Sequence, residues 1–176
     1  MRAMSQTHTT APATLEVISH SEAETIAFGR RLGALLQPGD LLLLFAPFGA
    51  GKTHLTKGIA GALGVDEADV NSPSFVLINE YETARRGKPG QGRTPIYHVD
   101  LYRIETPEAL ATVGLDDVIA GHGIAVIEWA ERAVDWFPRE HLAIEIAYAG
   151  ETDRRIVVRP HGTRAAEIVA ALQAGD

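Results

Sequence analysis

The sequence predicts an α/β fold of three layers, in which helices cover both faces of a mainly parallel central sheet. Leu41–Phe45 is an unbroken apolar run, and such runs are typical of a central strand buried on both faces. Strand-like segments alternate with helical ones along the chain, which is the order that a layered α/β sheet requires. Near the C-terminus, His141–Tyr148 and Arg154–Pro160 flank Gly150 as a hairpin would, so antiparallel edge strands are expected there.

The first elements precede this central strand. Residues 1–12 are mostly Thr, Ala and polar residues and are expected to form a disordered tail, which leaves residues 13–176 as one predicted domain. An apolar stretch follows at Ala13–Ile18. A helix is expected after it, because Ser21 and Glu24 have the spacing of a capping box.

The elements after the central strand are predicted from the same patterns. A helix is expected at about Lys52–Leu63, and the apolar, branched segment Phe75–Tyr81 indicates a strand. Arg85–Thr94 is rich in Gly, Lys and Arg and is expected to be an exposed loop. The remaining expected elements are strands at Pro95–Asp100 and Gly123–Glu128, helical segments within Pro107–Ala120 and a terminal helix at Thr163–Gln173.

Composition excludes several classes of function. The chain has 176 residues and a net charge of −7, so its surface as a whole repels a phosphate backbone; any contact with nucleic acid is expected through a local patch or a partner protein. There are no cysteines, which excludes disulfides, thiolate metal sites and cysteine nucleophiles. Neither a signal peptide nor a membrane-spanning run is apparent, so a cytoplasmic protein without a membrane partner is expected.

The segment Ala46–Thr53, called here the phosphate loop, carries the clearest chemistry. It reads A-P-F-G-A-G-K-T, close to the pattern G-x-x-x-x-G-K-[ST] that follows a strand and opens a helix. Gly49 and Gly51 allow the backbone to turn its N–H groups toward phosphates, and Lys52 reaches the β- and γ-phosphates. The Thr53 hydroxyl would bind magnesium. The loop therefore predicts a P-loop NTPase fold that binds a nucleoside triphosphate with magnesium, although Ala46 departs from the glycine of the pattern.

Two carboxylates end predicted strands. A P-loop enzyme needs an acid near magnesium at the end of a neighbouring strand, and Asp100 and Glu128 are both placed for this. Each could instead cap a helix or pair with Arg103 or Arg132. Either acid could position the attacking water.

His98 lies two residues before Asp100 and would face the same side of a strand. Burial as a satisfied core histidine is the favoured interpretation, and a supporting position behind the site is the alternative. The segment Asn71–Phe75 could offer the hydroxyls of Ser72 and Ser74 to magnesium or the γ-phosphate, or could be a plain Ser-Pro turn.

In combination these segments resemble the TsaE (YjeE) family of P-loop ATPases, which act in making threonylcarbamoyl-adenosine in tRNA. The resemblance runs from about Ser21 to Glu131. It rests on G-A-G-K-T at 49–53, Leu63-Gly64, Ser72-Pro73-Ser74-Phe75, Tyr97-His98-Val99-Asp100-Leu101-Tyr102-Arg103, Gly114-Leu115-Asp116 and Ile127-Glu128-Trp129. Two departures are visible: Ala46-Pro47-Phe48 stands where members usually show Gly-Asp-Leu, and Ser74 replaces a common Thr.

The resemblance implies a set of site residues. The nucleotide would contact Phe48, Gly49, Ala50, Gly51, Lys52, Thr53 and His54, with Ser21 near the adenine and Ser74 in a switch loop. Magnesium would be held by Thr53, Asp100 and Glu128. The catalytic residues would be Lys52, Asp100 and Glu128.

The function that the resemblance implies is a magnesium-dependent ATPase whose hydrolysis resets a tRNA-modifying complex between rounds. TsaD-like and TsaB-like proteins would be its partners, and tRNA would be reached through them. A small-molecule kinase, with the Arg85–Arg93 loop as its lid, is one alternative; a protein that binds ATP as a switch without hydrolysing it is another. The same loop could be simply solvated or could contact RNA or a partner. No Asn-Lys-x-Asp guanine-binding motif is present, which disfavours a GTPase.

Overall fold

The computed structural model describes residues 13–75, 77–86 and 92–175. The tail expected at residues 1–12 and the middle of the expected loop, residues 87–91, lie outside this part of the chain. Within the described residues, no helix has the length and apolar character needed to cross a membrane.

Seven strands form one sheet in the order β1-β7-β6-β2-β5-β4-β3. The four central strands, β6, β2, β5 and β4, are parallel, while β7 and β1 at one edge and β3 at the other are antiparallel to their neighbours. The strands are β1 (Leu15–Ser19), β2 (Leu41–Phe45), β3 (Ile78–Arg86), β4 (Arg93–Asp100), β5 (Ile124–Glu128), β6 (His141–Tyr148) and β7 (Arg154–His161). The predicted parallel centre and C-terminal hairpin are confirmed, and β3 adds an antiparallel edge that was not predicted.

Helices cover the two faces of the sheet. They are α1 (Glu22–Leu35), α2 (Lys52–Ala62), α3 (Pro107–Val113), α4 (Leu115–Ile119) and α5 (Thr163–Ala174), with short 3-10 turns at Ala130–Arg132 and Val134–Trp136. Buried residues of α1, α2 and α5 share one core with the sheet, and those of α3, α4 and the first of these turns share the other. The three-layer architecture is therefore confirmed.

The helix α1 begins at the predicted cap. Ser21 Oγ accepts a hydrogen bond from the Glu24 backbone N–H at 3.2 Å. Glu24 completes only part of a capping box, because its Oε2 accepts from the backbone N–H of His20 at 2.7 Å rather than from that of Ser21. The cap fixes where α1 starts and so where it meets α2.

Glycines allow α1 and α2 to pack backbone against backbone. A Cβ built on Gly58 would collide with the Ile26 carbonyl oxygen, and one on Gly29 would collide with that of Leu55. A Cβ on Gly33 would lie 2.5 Å from the Ile59 carbonyl oxygen. This close approach holds α2, and with it the phosphate loop, against the rest of the layer.

The predicted strand at Phe75–Tyr81 and the predicted loop at Arg85–Thr94 are both displaced in the structure. Ser74 and Phe75 lie in a turn, Leu77 has a φ of 70°, and β3 begins only at Ile78. The strand then continues through Arg86 and pairs with β4, with an irregularity between Glu82 and Arg86. The charged residues at the start of the expected loop are therefore strand residues.

Arg85 shows why that charged segment is ordered. Its guanidinium donates to the carbonyl oxygens of Leu36 and Ala34 at the C-terminal end of α1. Thr83, two residues earlier, is fully buried and donates to the Thr94 carbonyl oxygen at 2.8 Å. These contacts tie the edge hairpin to the helical layer.

Candidate functional site

The phosphate loop turns sharply between β2 and α2. Gly49 and Gly51 have φ values of 73° and 107°, which non-glycine residues rarely adopt. Of the described non-glycine residues, Leu77 and Trp129 are the ones with positive φ, so Ala46 fits its position without strain. Alanine at the first position of the motif therefore causes no backbone strain in this loop.

Lys52 begins α2 and turns back into the loop. Its Nζ donates to the carbonyl oxygens of Ala46 at 3.2 Å and Pro47 at 3.0 Å, and lies 4.5 Å from the centre of the Trp129 ring. Burial lowers the pKa of the Lys52 ammonium, while the nearby carboxylates of Glu128, Asp100 and Glu131 oppose that shift. In this position the ammonium sits where the loop and the acids meet.

The two predicted acids lie side by side. Asp100 on β4 is opposite Glu128 on β5, and Glu128 is in turn opposite Leu44 on β2. Both carboxylates are buried. Because the carboxyl ends of these parallel strands meet at the edge where β2 enters the phosphate loop, both acids face the loop side of the sheet.

The two arginines that could have paired with the acids make other contacts. Arg103 lies over the Phe75 ring at 4.7 Å, and Arg132 donates to the Ile104 carbonyl oxygen at 3.1 Å. Asp100 Oδ1 accepts from the Tyr102 backbone N–H at 2.8 Å. Among the described residues, neither acid therefore pairs with one of these two arginines.

His98 is fully buried behind Glu128. Its Nε2 lies 2.8 Å from Glu128 Oε1. Because a carboxylate oxygen can only accept, Nε2–H is the donor of this hydrogen bond. Among the described residues, no hydrogen-bond partner faces its Nδ1. The expected burial is found, but the histidine also holds the carboxylate of a predicted site residue, which was the alternative interpretation.

The Ser-Pro segment is tied to Asp100. Ser74 Oγ donates to Asp100 Oδ2 at 2.9 Å and Ser72 Oγ does so at 3.2 Å, while the two hydroxyls lie 2.7 Å apart. The segment is therefore more than a plain turn, because it brings two hydroxyls to one acid.

These groups line one cleft. Its lining residues are Phe48, Gly49, Gly51, Lys52, Thr53, His54, Ser72, Ser74, Asp100, Tyr102, Glu128 and Trp129. Two predicted nucleotide contacts do not line it. The side chain of Ala50 is fully buried on the side of the loop away from the cleft. Ser21 caps α1, one turn before Thr25. Thr25 Cγ2 lies 3.9 Å from where a Cβ of Gly51 would be, so α1 flanks the loop through Thr25.

Sequence reasoning assigned no role to several residues near the cleft. Tyr102 and Trp129 lie within quoted motifs, and their rings pack 5.0 Å apart at its wall. Tyr148 and Arg154, on the C-terminal hairpin, contact the phosphate loop itself. No local signal could have found these two, because their partners are about a hundred residues away.

The cleft fits magnesium and a polyphosphate chemically. Hydroxyl and carboxylate oxygens, here those of Thr53, Asp100 and Glu128, are the ligands that magnesium prefers. In the part of the chain that is described, no group of three or more His, Cys, Asp or Glu is placed to hold a metal. The start of α2 has no side-chain cap, so its N–H groups are open to an anion.

Comparison with known proteins gives a consistent result. A family model described as "Threonylcarbamoyl adenosine biosynthesis protein TsaE" matches residues 19–156. The Bacillus subtilis "tRNA threonylcarbamoyladenosine biosynthesis protein TsaE" is 39% identical, over 80% of this chain and 82% of that protein. The protein of that name from Treponema pallidum is 32% identical, over 82% of this chain and 99% of that protein. The crystal structure of Bacillus subtilis YdiB superposes with a TM-score of 0.73 at 32% identity, over 93% of this chain and 97% of that one.

Proposed function

The chain belongs to the TsaE family, and from that membership and its cleft we propose that it is a magnesium-dependent ATPase supporting the threonylcarbamoyl-adenosine modification of tRNA. One observation carries the ATPase part. Lys52, the α2 N-terminus, Asp100 and Glu128 converge on the same cleft, which is the set that phosphoryl transfer requires.

Different residues of the cleft would bind the phosphates, hold the metal and orient the attacking water. The N–H groups of the phosphate loop and of α2 bind the phosphates, and Lys52 leaves the Ala46 and Pro47 carbonyls to neutralise charge on them. Thr53, Asp100 and Glu128 would hold magnesium, which would supply Lewis-acid stabilisation of charge on the phosphates. One of the two acids orients the attacking water in line with the bond that breaks.

The hydrogen bonds between Asp100 and the Ser-Pro segment connect hydrolysis to a change in conformation. Ser72 and Ser74 both donate to Asp100 Oδ2. A metal held by Asp100 would compete with the serine hydroxyls for this carboxylate, and exchange of one of these hydrogen bonds would free a serine hydroxyl for the γ-phosphate. The Ser-Pro segment therefore couples the presence of that phosphate to its own position.

We further propose that TsaD-like and TsaB-like proteins are the partners, and that hydrolysis resets their complex between rounds. The net charge of −7 supports contact with tRNA through those partners rather than by this chain alone.

The test is steady-state release of phosphate from ATP, with and without the partner pair. Lys52→Ala, Asp100→Asn and Glu128→Gln are each expected to lower kcat by about 100-fold, the usual effect of removing one charge-stabilising group. Glu67→Gln is the matched control, because it also neutralises a carboxylate but lies away from the cleft. Glu67 pairs with Arg30 and sits beside Gly61, near the end of α2.

Other outcomes separate the alternatives. Turnover by Lys52→Ala at the wild-type rate would contradict the proposal outright. Binding of ATP without turnover, even in the assembled complex, would favour a non-hydrolysing switch. Turnover that required an added small-molecule acceptor would favour a kinase.

A further inference from the structure

The turn end of the β6–β7 hairpin lies against the phosphate loop. β2 and β6 are parallel with Phe45 opposite Glu145, so β2 ends there while β6 continues for the residues up to Tyr148. This overhang extends roughly 10 Å past the end of β2, at about 3.3 Å per residue. The phosphate loop folds back along it.

Two side chains of the hairpin reach loop carbonyls. Tyr148 Oη donates to the Phe48 carbonyl oxygen at 2.7 Å, and Arg154 Nε donates to that of Ala50 at 3.1 Å. Tyr148 and Arg154 are opposite each other across the two strands, and the guanidinium carbon lies 4.4 Å from the centre of the tyrosine ring. The two side chains that hold the loop therefore also contact each other.

These contacts fix two peptide planes. The described residues contain no cis peptide bond, and in a trans peptide the carbonyl of one residue points opposite to the N–H of the next. With the Phe48 and Ala50 carbonyls turned toward the hairpin, the N–H groups of Gly49 and Gly51 turn away from it. Gly49 and Gly51 both line the cleft.

We propose that Tyr148 and Arg154 are positioning residues that orient the Gly49 and Gly51 N–H groups for the phosphates of a bound nucleotide. This inference rests on the proposed function and adds to it a part of the chain that the phosphate-loop motif does not include. Anchoring the loop before binding reduces the ordering that the nucleotide must otherwise impose.

The packing supports an anchor rather than a chance contact. A Cβ on Gly49 would lie 3.0 Å from Tyr148 Oη, so the hairpin and the loop meet without room for a side chain. The Arg154 guanidinium is itself held, because its Nη1 donates to the Asp153 carbonyl oxygen at 2.9 Å. Asp153 Oδ2 in turn lies 3.2 Å from His20 Nδ1, just before α1.

The expected effect is a loss of affinity for phosphates. Tyr148→Phe removes one hydroxyl and no charge, and should weaken ATP and ADP binding by about threefold to tenfold, as for one lost hydrogen bond. Arg154→Gln removes a charged donor and should weaken both by about tenfold or more. Both nucleotides should lose affinity together, because the loop N–H groups bind the α- and β-phosphates that they share.

The experiment is calorimetric titration of the full chain with ATP and with ADP in the presence of magnesium. Arg159→Gln is the matched control, since Arg159 lies on the same strand, is exposed and pairs with Glu145 at 2.8 Å. The amide NMR signals of Gly49 and Gly51 in the nucleotide-free protein give a second readout. They should shift in Tyr148→Phe and stay in place in Arg159→Gln, which a general loss of stability would not produce.

Unchanged affinities together with unmoved Gly49 and Gly51 signals in Tyr148→Phe and Arg154→Gln would overturn the inference. Failure of the wild-type chain to bind either nucleotide would overturn the proposed function instead. In that case the two glycine signals decide the positioning role alone: shifts in Tyr148→Phe support it, and unmoved signals reject it.

Discussion

His98 illustrates how a single buried residue can act through another. Its Nε2–H points at Glu128 Oε1, and both side chains are almost completely removed from solvent. A carboxylate at such a site keeps one orientation only if a fixed donor holds it. The structure therefore assigns the histidine a role in aiming Glu128, whose other oxygen remains for the cleft.

Substitutions of His98 should separate this role from simple filling of space. Glutamine carries an N–H near the position of Nε2, whereas asparagine is too short to reach Glu128. We expect His98→Asn to lower kcat for ATP hydrolysis by about tenfold, within the usual range for loss of a supporting contact, with little change in ATP affinity. His98→Gln should recover much of that loss in the same kinetic assay. Equal defects in the two variants would contradict the role.

At the scale of the element, α1 and α2 depend on three glycines at their contact. The obstacles to a Cβ there are backbone atoms, which cannot rotate aside as a side chain can. Gly61, also on α2, differs because a Cβ there would meet only the side chain of Glu67, which belongs to an exposed ion pair. The same helix thus contains a required glycine and a replaceable one.

Gly58→Ala should lower the free energy of unfolding by about 2–3 kcal/mol, the upper part of the range of about 1–3 kcal/mol found when packed groups are overfilled. Gly61→Ala is the control and should change stability by less than about 1 kcal/mol, because alanine favours the helix and the glutamate can move. Urea unfolding of the two variants measures the difference. Equal losses would show that overlap with the Glu67 side chain costs as much as overlap with the α1 backbone, which would contradict the distinction between the two glycines.

The elements also show what the sequence could and could not predict. The continuous apolar run of β2, the cap of α1 and the acids that end β4 and β5 all have local signals, and these elements were placed correctly. β3 was misplaced because its second half is charged, although alternate residues of an edge strand can face water. The support given to the phosphate loop by Tyr148 and Arg154 depends on strand pairing between distant segments, which no local spacing encodes.

At the scale of the whole molecule, the sheet has two different ends. The phosphate loop and the acids occupy the carboxyl end of its parallel strands. A second cavity lies at the opposite end, lined by residues including Asp40, Glu140, His141 and Arg164. There Arg164 pairs with the buried Asp40 at 3.0 Å, while the His141 ring stacks on His161 at 4.5 Å.

Stability should depend on pH through that distant end. Burial lowers the pKa of His141 below its usual value of 6.5, with a hydrogen bond to the Pro138 carbonyl opposing the shift and His161 adding to it. Below pH 6.5 the unfolded chain therefore binds a proton that the folded chain does not, so the free energy of unfolding falls as the pH drops toward the lowered pKa.

His141→Gln should reduce this loss of stability between pH 7.5 and pH 5.5, measured as the change in urea midpoint. His122→Gln, at an exposed site, is the control and should follow the wild type. If the urea midpoint of His141→Gln fell with pH as steeply as that of the wild type, the acid sensitivity would come from other groups.

The pairing of β1 with β7 also has a consequence for how the chain folds during synthesis. Leu15 lies opposite Val158, so nearly the whole described chain separates the two strands. At translation rates of about 5–20 residues per second, β1 leaves the ribosome roughly 7–30 seconds before β7, its one neighbour in the described sheet, does so. Over that interval β1 lacks the partner it has in the folded sheet, and its unpaired edge is open to chaperones or to misassembly.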